Sequence, residues 1–478
     1  MAKEKEKLIY LMCKFAGRKK IGVLLISAIS TALLLWLLYA PQGEDSQKEN
    51  QTLKSWLNGS ILGITLPIPP PTYFLGYSLP PGHPCNNFTL PPPPSDRKRT
   101  GPRPCPVCYL PVEEAIALMP KFPSPSPVLE NLTYIYEGNL SRDGEFGGSD
   151  FGGYPTLKQR NDSFDIKQSM SVHCGFVRGI KAGRNTGFDM DDADLLEMDQ
   201  CRGVVVASAI FGNFDDINQP SHISEYSMKT VCFFMFIDEE TEKALTSSGR
   251  LRGKNIGLWR IIVVHNLPYA DPRRNGKIPK LLLHRLVPNA RYSIWIDGKL
   301  ELLADPYQIL ERFLWRKNAT FAISKHYKRF DVFLEAEANK AAKKYDNASI
   351  DFQIEFYKNE GLTPYTEAKL PIISDVPEGC VIVREHVPIS NLFTCLWFNE
   401  VDRFTSRDQI SFSTVRDKLL SKVDLHVNMF LDCERRNFVV QKYHKYVLAI
   451  LARRRAPAAL NPPPPPQLPV PPRPPAAR

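Results

Sequence analysis

Between residues 168 and 445 short apolar runs alternate with amphipathic stretches, and this alternation restricts the fold more than any other feature of the chain. "GVVVASAIF" (203–211), "TVCFFMFID" (230–238), "WRIIVVHNL" (259–267), "YSIWIDG" (292–298), "ATFAISKH" (319–326) and "GCVIVREH" (379–386) are short and rich in β-branched and aromatic residues. Runs of that kind read as strands buried on both faces. "KIPKLLLHRLVP" (277–288) and "PYQILERFLWRKN" (306–318) read as helices between them. Strands alternating with helices predict an α/β domain around a mainly parallel sheet, with ligands bound beyond the carboxyl ends of its strands.

Residues outside that block read differently. Ile21 to Ala40, "IGVLLISAISTALLLWLLYA", is an uncharged run of 20 residues, long enough to cross a bilayer as a helix. The core is long for a signal peptide and "LLYAPQG" makes a poor cleavage site, so a retained anchor is expected. Residues 1–20 carry seven Lys or Arg against two Glu, whereas 41–60 carry two Lys against three acidic residues. The positive-inside rule then puts the N-terminus in the cytosol and the rest of the chain across the membrane, a single-pass type II topology. Residues 41–167 are expected to form a Pro-rich luminal stem, with "EFGGSDFGGYP" (145–155) as a mobile loop, and 446–478 a Pro-rich disordered tail. The length of the anchor suits a Golgi or endoplasmic reticulum membrane.

Eight Asn-x-Ser/Thr triplets, at Asn50, Asn58, Asn87, Asn131, Asn139, Asn161, Asn318 and Asn347, all follow the anchor as candidate glycosylation sites. So do nine of the ten cysteines, where disulfides persist, and an odd number leaves at least one unpaired. Cys105-Pro-Val-Cys108, with His83 and Cys85 upstream, reads as a disulfide clamp on the stem in preference to a zinc site, because a second C-x-x-C is missing. The formal net charge of +10 halves once the cytosolic flank is set aside, and no basic stripe interleaved with aromatics occurs, which argues against a nucleic-acid partner.

The strand ends carry the candidate chemistry. Asp215 and Asp216 follow the first run, Asp238 ends the second, and Asp297-Gly298-Lys299 follows "YSIWI". Asp-Gly is also a common turn pair. If the stretch stays extended, Asp297, Lys299 and Glu301 share a side. Arg273, Arg274, Lys277 and Lys280 lie at the start of a predicted helix, where fixed cations suit a phosphate or make a solvated basic turn.

"VVVASAIFGNFDDINQP", "SIWIDGKLELLADPYQILERFLWR", "KRFDVFLEAEA" and "SRDQISF" closely resemble a plant family of formerly unknown function. It includes mucilage-related proteins described as probable hexosyltransferases and a turgor-regulation protein described as an alkaline ceramidase. The resemblance implies a GT-A-like, Rossmann-type glycosyltransferase domain that takes a nucleotide sugar and a glycan acceptor, usually with Mn2+ or Mg2+ on an Asp-x-Asp motif. It implies nucleotide-sugar binding by Asp215, Asp238, Arg274, Lys277 and Lys280, with Asp238 near the base or ribose. "WIDGK" stands where Asp-x-Asp would be, with Lys299 in place of the second carboxylate. Fixed cations can serve a leaving diphosphate as a metal does. Lys299, helped by Arg274 or Lys277, is therefore expected to take over part or all of the metal's role, and Asp297 to orient the sugar or ribose. A metal held by Asp297 and His426 is the variant. Asp408 is the preferred catalytic or acceptor-orienting carboxylate, with Asp331, Glu335 and Glu337 as acceptor-side candidates, and Trp397 or Phe398 could stack on a sugar. Two other functions stay open: a ceramidase, although neither H-E-x-x-H nor G-x-S-x-G occurs, and a sugar-binding protein without turnover.

Overall fold

The computed structural model describes residues 74, 76–86, 88–89, 105–138, 146–179, 181–448 and 450. The expected cytosolic tail, the expected anchor at 21–40, much of the expected stem, the tail from 451 and the triplets at Asn50, Asn58, Asn87 and Asn139 lie outside them. Among the described residues no helix is long and apolar enough to cross a membrane.

The strands are β1 (Asn131–Tyr134), β2 (Ser169–Val172), β3 (Val204–Ile210), β4 (Val231–Asp238), β5 (Asn255–Ile256), β6 (Trp259–Val264), β7 (Tyr292–Ile296), β8 (Leu300–Leu302), β9 (Phe321–Lys325), β10 (Pro377–Glu385), β11 (Val427–Phe430) and β12 (Val439–Gln441). Eight of them form one sheet in the order β11-β9-β10-β7-β3-β4-β6-β5. β7, β3, β4 and β6 run parallel, and so do β9 and β11, while β10 lies antiparallel between β7 and β9. All six apolar runs picked out in the sequence are strands of this sheet.

Alternate side chains serve opposite faces, as the pleat requires. Val205, Ala207, Phe234, Phe236 and Trp295 pack in one core with Leu282 and Leu286 of the helix Lys277–Leu286 and Trp397 of the helix Pro388–Arg403. Val204, Val206, Phe233, Met235, Ile294 and Ile296 pack in the other with Ile309 and Phe313 of the helix Pro306–Phe313. Burial on both faces explains why these strands read as unbroken apolar runs.

Part of the expected stem belongs to this fold. A helix at Val112–Ala117 precedes β1, which pairs with β2, and a helix at Leu157–Asp162 follows. Arg160, buried in that helix, pairs with Glu400 at 2.6 Å and with Glu360 at 2.6 Å. Residues 146–155 are a packed turn, which corrects the mobile-loop reading. Phe151 is buried, and a Cβ on Gly147 would stand 1.8 Å from the Arg403 carbonyl oxygen, so a side chain there is excluded by backbone. Proline and glycine made this stretch read as spacer, yet each can also be required by close packing.

The disulfides are Cys85–Cys108, Cys105–Cys433, Cys174–Cys395 and Cys201–Cys232, and Cys380 is a buried free thiol. Both cysteines of the C-x-x-C are therefore used, Cys105 across 328 residues of sequence to the far end of the domain.

Candidate functional site

Chain order runs β3, β4, β6 to one side and then returns to β7 on the other flank of β3. The sheet thus has its switch point between β3 and β7, where a crevice opens at the carboxyl ends of the strands. A cleft of about 400 Å³ lies there, lined by Ala209, Phe214 and Asp215 after β3, by Trp295, Asp297 and Lys299 after β7, and by Lys277 and Lys280.

Asp297-Gly298-Lys299 is both a turn and part of this site. Leu300 N donates to the Asp297 carbonyl at 2.8 Å, so the chain reverses directly from β7 into β8. The reversal swings Glu301 out of line with its neighbours, and it pairs with Lys442 at 2.7 Å instead of facing the cleft. Gly298 is needed because the turn presses on β3. A Cβ there would stand 2.6 Å from Ile210 Cγ1 and 2.7 Å from the Ala209 carbonyl oxygen. Gly298→Ala should cost about 1–3 kcal/mol of stability by overpacking and displace Asp297 and Lys299. Urea unfolding and turnover of the same preparation check this, and a variant matching wild type in both would refute the contact.

The cleft floor is a chain of alternating charges. Lys299 Nζ lies 3.6 Å from Asp297 Oδ2, and Lys280 Nζ lies 4.0 Å from Asp297 Oδ1. Lys280 reaches Asp408 Oδ2 at 2.5 Å, and Lys277 reaches the same oxygen at 2.9 Å. Trp295 Nε1 donates to Asp297 Oδ1 at 3.0 Å, fixing its rotamer. Gly379 leaves room for the pair, since a Cβ there would sit 3.0 Å from Lys280 Nζ.

Burial opposes the charges of Asp408, Asp297, Lys280 and Lys277, so the pairs decide. At Asp408 burial would raise the carboxyl, but Lys277 and Lys280 outweigh it and hold the group far below the usual carboxylate range. Asp297 is lowered against its burial by Lys280, Lys299 and Lys277. Lys280 sits between two carboxylates and is raised despite burial. Lys277 loses that contest: burial, together with the nearby Lys280 charge, pushes it down to about 8 against the pull of Asp408. Anion binding in the cleft should therefore weaken as pH rises through about 8, where Lys277 gives up its proton. Titrating a nucleoside diphosphate between pH 7 and 9 checks this. Lys277→Met should bind more weakly at pH 7 and show a flatter profile, whereas an unchanged slope would count against Lys277.

Asp408 lines the cleft but is not placed to act as a base, because two ammonium groups hold it ionised and buried. Several other expected site residues stand elsewhere. Arg274 turns away from the cleft: its Nη2 donates to the Val401 carbonyl at 3.1 Å and its guanidinium stacks over Tyr269. Its neighbour Arg273 lines the cleft instead, with its guanidinium over the Phe214 ring. Asp238 caps the helix Glu239–Ser247 through Thr241 N at 2.9 Å and accepts from Gly212 N at 2.6 Å, so one oxygen is spent on the helix cap and the other on the loop after β3.

Asp331 likewise caps the helix Val332–Ala341 and accepts from Tyr365 N at 2.7 Å, outside the cleft. Glu335 does line the cleft, tied to Arg329 and to Asn339 Nδ2 at 2.7 Å. Glu337 pairs with Lys340 at 2.7 Å on an exposed face. Trp397 and Phe398 are core residues, and Trp397 Nε1 donates to the Asp408 carbonyl at 2.8 Å.

His426 precedes β11 and bonds through Nδ1 to the Asn318 carbonyl just before β9. That is the amino end of the strands, opposite the cleft, so His426 and Asp297 do not share a metal. The late histidine in the cleft is His444, whose Nδ1 meets Asp215 Oδ1 at 2.6 Å. Cys174, His284 and Cys395 also cluster, but both sulfurs are spent in a disulfide.

Asp297 and Asp408, as a donor set for Mn2+ or Mg2+, fit poorly. Three ammonium groups surround them, and a dication would add repulsion to a site whose carboxylates are already paired.

A family model described as TOD1/MUCI70, glycosyltransferase-like domain, matches residues 132–444. The chain is 68% identical to probable hexosyltransferase MUCI70 of Arabidopsis thaliana over 484 residues, covering 96% of this chain and 83% of that protein. It is 39% identical to alkaline ceramidase TOD1 of Arabidopsis thaliana over 311 residues, 63% of each protein. Among solved structures, mouse xyloside xylosyltransferase 1 in its apo form aligns over 48% of this chain and 85% of that one, at 8% identity and a TM-score of 0.28. The apo bifunctional glycosyltransferase WbbM aligns over 48% and 39%, at 12% identity and a TM-score of 0.25. With its strands, its cleft and 313 consecutive positions inside that model, the chain belongs to the TOD1/MUCI70 family and carries its glycosyltransferase-like domain.

Proposed function

We propose that the protein is a hexosyltransferase that moves a sugar from a nucleotide sugar to a glycan acceptor, with fixed lysines facing the leaving diphosphate. The observation that carries this reading is the floor of the switch-point cleft, where Lys277, Lys280 and Lys299 outnumber Asp297 and Asp408. An acceptor hydroxyl attacks the anomeric carbon, the bond from that carbon to the diphosphate breaks, and the diphosphate leaves with the electron pair. The negative charge then grows beside Lys299 and Lys280, preorganised by their pairs with Asp297 and Asp408. Asp297, locked by Trp295, is left to orient hydroxyls of the sugar or ribose.

The compartment is part of the proposal: a type II Golgi protein anchored at 21–40, its domain in the lumen. Four disulfides support an oxidising compartment. Asn131, Asn161 and Asn347 are exposed enough to carry glycans, whereas Asn318 packs against Gly76.

The test is a panel of nucleotide sugars offered to the full-length detergent-solubilised protein, with free nucleotide followed in manganese and in a chelator. Turnover that survives chelation is expected. Turnover only with metal would keep the transferase and return Asp297 to metal binding. Donor binding without turnover would indicate a sugar-binding protein, and fatty acid released from ceramide with every donor inert would indicate the ceramidase reaction.

A further inference from the structure

With Asp408 locked between lysines, the acceptor hydroxyl still needs a group to take its proton. The cleft is lined by six carboxylates, Asp215, Asp271, Asp297, Glu335, Glu378 and Asp408. Five of them accept hydrogen bonds: Asp215 from His444, Asp271 from Arg273 N, Asp297 from Trp295, Glu335 from Asn339 and Asp408 from Lys280. Glu378 accepts none among the described residues, and its one ion-pair contact is His326 Nε2 at 3.9 Å from Oε2.

The backbone delivers Glu378 to this place. Along β10 the register with β9 steps from Glu378 opposite Ser324 to Ile382 opposite Ile323, so four residues of β10 are matched by a single step of β9. The extra residues bulge toward the cleft, carrying Gly379 against Lys280 and Asp408 and letting the Cys380 carbonyl accept from Asp297 N at 2.9 Å. Bulges of this kind re-aim a side chain beside a site. Glu378 therefore stands one residue from the lysine floor, with about a quarter of its side chain open to the cleft.

His326 sets the other side. Its Nδ1 accepts from Lys328 N at 3.1 Å and Arg329 N at 2.9 Å, which leaves the ring proton on Nε2, toward Glu378. Arg329 Nη2 lies 3.2 Å from the same nitrogen, but Arg329 is neutralised by Glu335. Burial holds His326 below its usual value, so the ring is neutral and, at 3.9 Å, leaves the charge of the Glu378 carboxylate unpaired.

We propose that Glu378 is the general base of the transfer, and that the transfer inverts the anomeric carbon. The inference rests on the transferase reading above. Glu378 takes the proton of the acceptor hydroxyl as its oxygen bonds to the anomeric carbon on the face opposite the departing diphosphate. Direct displacement with one base leaves no covalent sugar on the enzyme, so configuration is inverted once.

The experiment uses the full-length protein and the nucleotide sugar selected by the donor panel. Glu378→Gln should lower kcat for transfer by about 10²–10⁴-fold, with the Kd of the nucleoside diphosphate product within about twofold of wild type. Glu378→Asp should fall between the two. The linkage formed by the wild type, read by proton NMR of the product, should be of opposite anomeric configuration to the donor. Transfer by Glu378→Gln within about threefold of wild type would overturn the inference and leave the transferase standing. A retained anomeric configuration would do the same even if that variant failed to fold. A wild type inert toward every donor would overturn both.

Discussion

Lys299→Ala should lose about 10²–10³-fold in kcat/KM for sugar transfer, the usual size of removing one preorganised group that faces charge developing in a transition state. Its stability should hardly move. Lys299 is about one-fifth exposed, and its pair with Asp297 is long, at 3.6 Å. Loose pairs near solvent are worth about 0–1 kcal/mol. Its backbone carbonyl, which accepts from Lys442 N at 2.9 Å, survives the substitution. Steady-state kinetics and thermal unfolding on one preparation separate the two effects. The loss should fall mainly on kcat, because the leaving charge exists only as the bond breaks. Transfer intact in Lys299→Ala would end the idea that this lysine stands in for a second carboxylate and its metal.

The scaffold was largely legible and the direction of individual side chains was not. "GVVVASAIF", "TVCFFMFID" and "YSIWI" could be recognised because strands buried on both faces leave an unbroken apolar record. Strand ends then located Asp215, Asp297 and Lys299, and all three line the cleft. Neighbours at helix starts are harder: Arg273 and Arg274 differ by one position, and only the phase of a four-residue helix decides which faces the ligand. The pairing of His426 with Asp297 failed for a topological reason, since spacing does not reveal which end of a strand a loop occupies. Glu378 escaped because the run was read from Gly379 onward. A signal was present, for Pro377 and Gly379 within a strand mark a bulge. Residues 105–138 and 146–167 were hidden by their prolines and glycines, although Cys105 and Arg160 tie them to the domain.

Asp408→Asn should destabilise the protein by about 3–5 kcal/mol, the usual cost of removing one member of a buried ion pair. Asp408 is buried, and Lys277 and Lys280 converge on its Oδ2. Without that charge Lys280 keeps Asp297 at 4.0 Å, whereas Lys277 is left with repulsion and burial. Lys277 is already pushed down to about 8, so it is the group that will shed its proton first, which limits the cost. Lys277→Met in the same background should therefore recover part of the loss, because it removes the stranded charge. The dependence on pH identifies the cause. Asp408 has a folded-state pKa far below that of an unfolded aspartate, so its stabilisation is fully present above about pH 4 and drains away as pH falls toward the folded value. The difference between wild type and Asp408→Asn in urea unfolding should begin to narrow as pH falls below about 4, by about 1.4 kcal/mol per pH unit. A gap that did not narrow at all between pH 4 and pH 2 would trace the loss to packing around Trp397, and the lysine floor would then owe its arrangement to something other than Asp408.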